Sequence, residues 1–136
     1  MKIKALLLFI TISFTVKALA NPDKHIIPTI MIENDSLLRH TVFFKFKEST
    51  KADQIKKIEE AFSALPSKIE QIKGYEWGLN NSPEGLNKGF THAFFLTFKS
   101  EEDRAIYLPH PDHKAFVALL TPILEDVFVV DYWTKQ

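Results

Sequence analysis

The chain has 136 residues, of which 46% are hydrophobic and only four are glycine, a composition typical of one compact domain with a sizeable core. Its 17 basic and 17 acidic residues balance to a formal net charge of zero, so it lacks the basic excess of a nucleic-acid-binding protein. It contains no cysteine, which excludes disulfides and cysteine nucleophiles.

The first twenty residues have the features of a secretory signal peptide. Lys2 and Lys4 form a basic start, residues 5–16 are mostly apolar, and residues 18–20 match the small-residue pattern of a cleavage site. We therefore expect residues 1–20 to be removed on export, most simply to a bacterial periplasm, leaving Asn21 as the first residue. The apolar run is short for a bilayer and no second one follows, so no stable membrane span is expected after cleavage.

Residues 21–36 show no sustained period, which indicates an N-terminal arm or linker. The folded domain is predicted over residues 37–134. Its first strand alternates apolar and polar positions, and one histidine falls on the apolar side. The apolar side consists of Leu38, His40, Val42, Phe44 and Phe46.

Hydrophobic periodicity and turn residues predict the remaining elements in chain order. These are a helix capped by Ser49 or Thr50 and ending before Pro66, a strand over residues 74–80, a strand over residues 91–98 with His92 on its apolar side, a helix beginning at Ser100, a second helical segment from Pro111 to about Thr121, and a strand over residues 127–133. The order strand, helix, strand, strand, helix, strand predicts an α+β fold, the ferredoxin-like βαββαβ sandwich.

Both faces of the predicted sheet carry apolar residues. Phe43 in the first strand and Val127, Val129 and Trp133 in the last cannot all face the helices together with their neighbours, so the second face also needs cover. A second copy of the chain would supply it, and two such sheets packed face to face form a dimeric α/β barrel. We therefore expect a homodimer.

The main candidate site is the turn Tyr107-Leu108-Pro109-His110-Pro111-Asp112-His113. Its two prolines restrict the backbone, so one helix ends there and another begins. His113 starts an apolar stripe at helical spacing, whose later members are Phe116, Leu120 and Ile123. The stripe predicts that His113 points inward, toward the strand histidines His40 and His92. We therefore expect Tyr107 and His113 to line one internal cavity with His40 and His92.

Four segments of the chain together resemble the stress-responsive dimeric A/B barrel domain family. They are residues 39–46 (RHTVFFKF), the Thr91-His92 pair, residues 107–113 with the diagnostic His-Pro-x-His element, and residues 130–133 (VDYW). The resemblance covers residues 37–133 and implies a ferredoxin-like subunit in a dimeric barrel. The family includes plant stress proteins and a cofactor-free polyketide cyclase that closes a ring by intramolecular aldol chemistry.

The resemblance also implies roles for individual residues. The catalytic tyrosine and histidine of the cyclase match Tyr107 and His113, and two histidines of its pocket match His40 and His92. The pocket is implied to lie between the sheet and the helices of one subunit, where it would bind a small organic ligand. The other expected ligand-binding residues are His110, Phe44, Trp77, Leu96 and Phe116.

Three functions remain open from the sequence. The first is an exported stress-response barrel that binds a small organic ligand without turnover. The second is a cofactor-free cyclase or lyase acting on a poly-β-keto type of substrate, in which neutral His113 removes a proton and Tyr107 donates to the developing oxyanion. The third is a metal site that gathers His40, His92, His110 and His113. We favour a site without a metal or cofactor, and no phosphate-binding loop, nucleophile elbow or dinucleotide fingerprint occurs in the sequence.

Overall fold

The computed structural model describes residues 36–135, so the predicted signal peptide and nearly all of the predicted arm lie outside the described residues. Within the described part, no helix is long and apolar enough to cross a membrane. The elements are β1 (Leu38–Phe46), α1 (Ala52–Ser63), a 3-10 turn (Leu65–Ser67), β2 (Gly74–Leu79), β3 (His92–Phe98), α2 (Glu101–Tyr107), α3 (Pro111–Leu120) and β4 (Leu124–Trp133). This order confirms the predicted βαββαβ arrangement. The helical connection between β3 and β4 is divided into α2 and α3 by the proline turn.

The four strands form one antiparallel sheet in the order β2-β3-β1-β4. In the central pair, Leu38 of β1 lies opposite Phe98 of β3, and Phe44 lies opposite His92. Since successive side chains of a strand alternate between the two faces, these four side chains all point to one face, where they are buried. The helices cover that face, so the ferredoxin-like prediction is confirmed.

An aromatic core joins the helices to the sheet. Phe62 of α1 stacks on Phe94 of β3 with ring centroids 4.3 Å apart, and the Phe116 ring of α3 lies 4.6 Å from Phe62. Phe44 of β1 completes the group at 5.1 Å from Phe94. All four side chains are buried, and burial of each stabilises the fold by about 1.5–3 kcal/mol. This packing sets the position of α3 above the sheet.

The predicted cap of α1 at Ser49 or Thr50 is wrong. Lys51 occupies the N-cap position, and its backbone N–H donates to the Gln54 side chain at 3.0 Å. The Thr50 hydroxyl instead donates to the Ile123 carbonyl oxygen at 3.3 Å. The Thr50 hydroxyl, which the local sequence predicted as a helix cap, therefore makes a tertiary contact instead.

The face of the sheet opposite the helices, which we call the open face, carries a group of apolar side chains that no helix of residues 36–135 covers. The Phe43 ring stacks on Phe128 at 5.9 Å and meets Phe95 edge-on at 6.5 Å. Phe128 is 53% exposed. A large apolar surface of this kind is unusual on a soluble monomer and is typical of an interaction face.

The register of β4 corrects the predicted composition of the open face. Val127 lies opposite Phe44 and Val129 opposite Val42, so Val127, Val129 and Trp133 are on the helix side of the sheet. The open face of β4 consists of Phe128, Val130 and Tyr132. Alternation alone could not decide between these sets, because both are mostly apolar: the polar groups are the Tyr132 hydroxyl on the open face and Asp131 on the helix side.

Candidate functional site

One row of side chains crosses the helix side of the sheet. Tyr75 of β2 pairs with Leu96 of β3, Leu96 pairs with His40 of β1, and His40 pairs with Asp131 of β4. Because paired residues point to the same face, these four side chains lie next to one another. The row therefore brings a buried histidine beside a carboxylate.

The proline turn between α2 and α3 presents Tyr107 and His113 to this row. α2 ends at Tyr107, and α3 begins at Pro111, whose missing N–H leaves no helical hydrogen bond unmade at that position. His110 is the N-cap of α3, and its Nδ1 accepts a hydrogen bond from the Asp112 backbone N–H at 3.2 Å. The contact of His110 is thus a helix cap that fixes the turn.

His113 is held in one tautomer. Its Nδ1 lies 2.9 Å from the Leu108 carbonyl oxygen, which can only accept, so Nδ1 carries the proton and Nε2 keeps a free lone pair. The ring is partly buried, and its centroid lies 4.3 Å from that of Tyr107. Burial lowers the pKa of His113, the Leu108 carbonyl opposes this, and the nearby His40 and His110 lower the pKa further. A neutral imidazole with a free Nε2 is the form required of a general base.

Tyr107 is a buried donor beside His113. Its side chain is 1% exposed and meets the His40 ring edge-on at 5.8 Å. Its hydroxyl makes no hydrogen bond to residues 36–135. The hydroxyl still has some solvent access, because the only side-chain nitrogen or oxygen of that range that is both fully enclosed and without a partner is Thr41 Oγ1. Burial raises the pKa of Tyr107 well above its ordinary value, and the nearby Tyr75 adds to the effect. The phenol therefore stays protonated at neutral pH.

His40 also contacts an ion pair, which Asp131 forms with Arg104. Its Nδ1 lies 2.6 Å from Asp131 Oδ1, and Arg104 Nη1 donates to Asp131 Oδ2 at 2.7 Å. An ionised carboxylate only accepts, so His40 donates from Nδ1, and its Nε2 makes no hydrogen bond to residues 36–135. Neither Asp131 nor Arg104 was predicted from the sequence as a site residue. Two signals pointed to them: Arg104 precedes Tyr107 by three residues, which puts both on one side of α2, and Asp131 is the single acid of residues 127–133.

His92 lies at the opposite end of the sheet. It pairs with Phe44, which is four residues along β1 from His40, a separation of roughly 13 Å. Its Nε2 lies 3.1 Å from Glu59 Oε1, and its Nδ1 lies 2.8 Å from the Thr91 hydroxyl. Both nitrogens are therefore occupied, and the contact with Glu59 ties β3 to α1.

The structure thus brings together three of the four residues predicted to share a cavity. Tyr107, His113 and His40 adjoin one another, and we call them the Tyr107 cluster. His92 does not adjoin them, because alternation defines the face of a strand but not the position along it, and a cavity that it would share with them stays a prediction. Among residues 36–135, no three histidine, cysteine, aspartate or glutamate side chains are grouped so as to hold a metal ion.

The predicted apolar ligand contacts divide between the two ends of the sheet. Leu96 adjoins His40 in the row, and the Phe116 ring lies 6.5 Å from that of His113, so both border the Tyr107 cluster. Trp77 stacks on His92 with ring centroids 6.3 Å apart and an angle of 4° between the rings. Of the four predicted contacts, Phe44, Leu96 and Phe116 are buried and Trp77 is exposed.

A cavity of about 1040 Å³ lies on the open face beside the loop between β2 and β3. Its floor includes Phe43, Phe95 and Phe128, and the loop contributes Asn81 and Asn87. It is separate from the Tyr107 cluster, none of whose members line it. His92 and Trp77, both predicted to bind ligand, also line it, but the cavity itself was not predicted, because its lining depends on pairing between strands far apart in the chain.

The Tyr107 cluster combines two hydrogen-bond acceptors with one donor. Each imidazole donates from Nδ1, so the neutral form of each ring would accept at Nε2, and the Tyr107 hydroxyl carries a proton. A base and a phenol donor at adjacent positions are suited to removing a proton next to a carbonyl group and stabilising the oxyanion that forms.

Comparison with known proteins supports this fold. The model of the Stress responsive A/B Barrel Domain family matches residues 38–134. The stress-response A/B barrel domain-containing protein HS1 of Arabidopsis thaliana is 33% identical over 102 residues, which cover 75% of this chain and 94% of HS1. Olivetolic acid cyclase of Cannabis sativa is 26% identical over 99 residues, which cover 73% of this chain and 98% of the cyclase.

Solved structures show the same similarity. Hydroxynitrile lyase from Passiflora edulis superposes with a TM-score of 0.69 and 28% identity, covering 74% of this chain and 94% of the lyase. A dimeric ferredoxin-like protein of unknown function from Thermobifida fusca superposes with a TM-score of 0.65 and 27% identity, covering 73% of this chain and 92% of its own. With the family match over residues 38–134, these similarities establish that the chain belongs to the stress-responsive A/B barrel domain family.

Proposed function

We propose that this protein is a cofactor-free enzyme of the cyclase or lyase class, which binds a small organic substrate at the Tyr107 cluster. The observation that carries the proposal is His113, whose Nδ1 donates to Leu108 while Nε2 stays free, at a pKa lowered by burial. Tyr107 stands next to it with a hydroxyl that has no partner in residues 36–135. The similarity to a cyclase and to a lyase supports this reaction class.

For a poly-β-keto substrate, the proposed reaction begins at a carbon between two carbonyl groups. His113 Nε2 takes a proton from that carbon, the electron pair of the C–H bond forms an enolate, and the Tyr107 hydroxyl donates to the enolate oxygen. The enolate carbon then attacks a second carbonyl carbon of the same molecule and closes a ring. The alkoxide produced takes the proton back from His113, so no oxidant is needed.

The same groups also suit the cleavage of a hydroxynitrile. His113 would take the hydroxyl proton as the bond to the nitrile carbon breaks and a carbonyl group forms. The departing cyanide would then take the proton from His113. Both reactions need one neutral imidazole and one phenol donor, which is why the proposal names a class and not a single substrate.

Turnover of two probe sets tests the proposal. Purified mature protein would be incubated with linear poly-β-keto thioesters and with aromatic hydroxynitriles, and ring products or cyanide would be measured. We expect turnover with one set and a loss of about 100-fold or more in kcat for His113→Asn and for Tyr107→Phe. Lys114→Ala, which changes an exposed residue next to His113, is the matched control and should keep full activity.

Binding without turnover is the competing function. It would appear as calorimetric binding of a probe that the protein does not convert, with affinity changed by Tyr107→Phe. That result would reject the enzymatic proposal and leave a ligand-binding barrel.

The assembly we propose is a homodimer joined through the open face. The exposed apolar residues of that face support it, since water would otherwise cover a large hydrophobic area. Two ferredoxin-like neighbours, from Thermobifida fusca and Bacteroides fragilis, are dimeric proteins, at 27% and 28% identity. We also propose export with cleavage before Asn21, on the basis of the sequence pattern in residues 1–20.

A further inference from the structure

Arg104 and Asp131 complete a closed circuit of contacts around the Tyr107 cluster. Arg104 of α2 donates to Asp131 of β4, Asp131 accepts from His40 of β1, and His40 packs edge-on against Tyr107, which is again on α2. The circuit leaves α2 at one residue and returns to it three residues later. We infer that Arg104 is a positioning residue, which acts through Asp131 to keep His40 Nε2 as a fixed hydrogen-bond acceptor for the substrate.

The inference rests on how the Asp131 carboxylate is shared. One oxygen faces Arg104 at 2.7 Å and the other faces His40 at 2.6 Å, so the carboxylate is held at both ends. Its side chain is 32% exposed, and without the guanidinium group one oxygen would be free to turn toward water. An arginine suits this task because its charge persists at every physiological pH and its planar group fixes direction as well as distance.

The tautomer of His40 matters because only one form can accept at Nε2. An imidazole with no fixed partner exchanges between its two tautomers, and in the other form Nε2 carries the proton and donates. Leu108 fixes the tautomer of His113 in the same sense. Both imidazoles would then accept at Nε2, and a substrate with a hydroxyl or enol group near its reacting carbonyl would match His40 while His113 acts as base.

The inference presumes the proposed function, but its first test does not require a substrate. Long-range ¹H–¹⁵N NMR spectra of the whole mature protein would report the histidine tautomers in wild type, Arg104→Met and Arg104→Lys. We expect His40 to be protonated only on Nδ1 in wild type, to become a mixture of tautomers in Arg104→Met, and to be restored largely by Arg104→Lys. Lys57→Met, which removes a cation from the exposed side of α1, controls for the change in charge.

His113 supplies an internal reference, since its tautomer depends on Leu108 and should stay unchanged in every variant. An amide spectrum that overlays on wild type establishes that Arg104→Met is folded; should it not overlay, Arg104→Gln gives the same comparison. An unchanged His40 tautomer in the folded variant would overturn the inference. If a substrate is found, kcat should fall by about tenfold in Arg104→Met with little change in KM. A changed tautomer in a protein that turns over no probe would support the positioning role and reject the proposed reaction.

Discussion

Replacing Tyr107 with phenylalanine should make the protein more stable while it removes the proposed activity. The Tyr107 side chain is buried, and its hydroxyl has no partner in residues 36–135. An unsatisfied buried polar group costs about 1–3 kcal/mol. Because this hydroxyl is not fully enclosed, we expect the lower end, a gain of about 1 kcal/mol, which corresponds to roughly 4–8 °C in Tm for a domain of this size.

The assay is thermal unfolding of wild type and Tyr107→Phe at equal protein concentration, since association would make Tm depend on concentration. Tyr75→Phe is the matched control: its hydroxyl lies 3.0 Å from the Ser63 hydroxyl, so removing it should destabilise the protein by about 0.5–1 kcal/mol. The raised pKa of Tyr107 adds a pH dependence, because above about pH 10 the unfolded chain ionises this phenol while the folded protein does not. Wild type should therefore lose additional stability there. A Tyr107→Phe variant that is less stable than wild type at neutral pH would contradict the conclusion that the Tyr107 hydroxyl has no partner.

Since burial lowers the pKa of His113, wild-type stability should decline as pH falls below about 6.5 toward that pKa, and chemical denaturation should show a smaller decline in His113→Asn. His92→Gln should cost about 1–3 kcal/mol in denaturant unfolding, through its contact with Glu59, but leave the kcat of the Tyr107 cluster unchanged; a large loss of kcat would contradict the separation of the two ends. Light scattering should report twice the chain mass for wild type and one chain mass for Phe128→Lys, whereas a dimeric variant would reject the open face as the interface. N-terminal sequencing of protein from an exporting host should begin at Asn21, and an intact first residue would reject the signal peptide.

Local pattern was sufficient for the elements and the faces of most strands. The period of two in β1 identified the buried side that carries His40, and the prolines around His110 identified the break between α2 and α3. These features depend on residues within one turn or one strand, which is the range over which propensity and alternation act. The fold followed from the order of such elements.

Features that depend on pairing between residues far apart in the chain could not be predicted from local pattern. His92 shares a face with His40, but its position along the sheet follows from the register of β1 and β3. Asp131 meets Arg104 across 27 positions of sequence, and no local pattern links them. Both cases concern which residues are neighbours in space, which periodicity does not specify.

The central claim, that His113 is poised as a neutral base, is tested most directly by its tautomer at pH 7. Long-range ¹H–¹⁵N NMR of the mature protein, with His113 assigned by comparison with His113→Asn, would show which ring nitrogen carries the proton. The contact with Leu108 predicts a neutral ring protonated on Nδ1, whose free Nε2 resonance shifts when acetylacetone, a small β-diketone, is added. A His113 ring that carries a proton on Nε2 at pH 7, in either the neutral or the charged form, would contradict the claim.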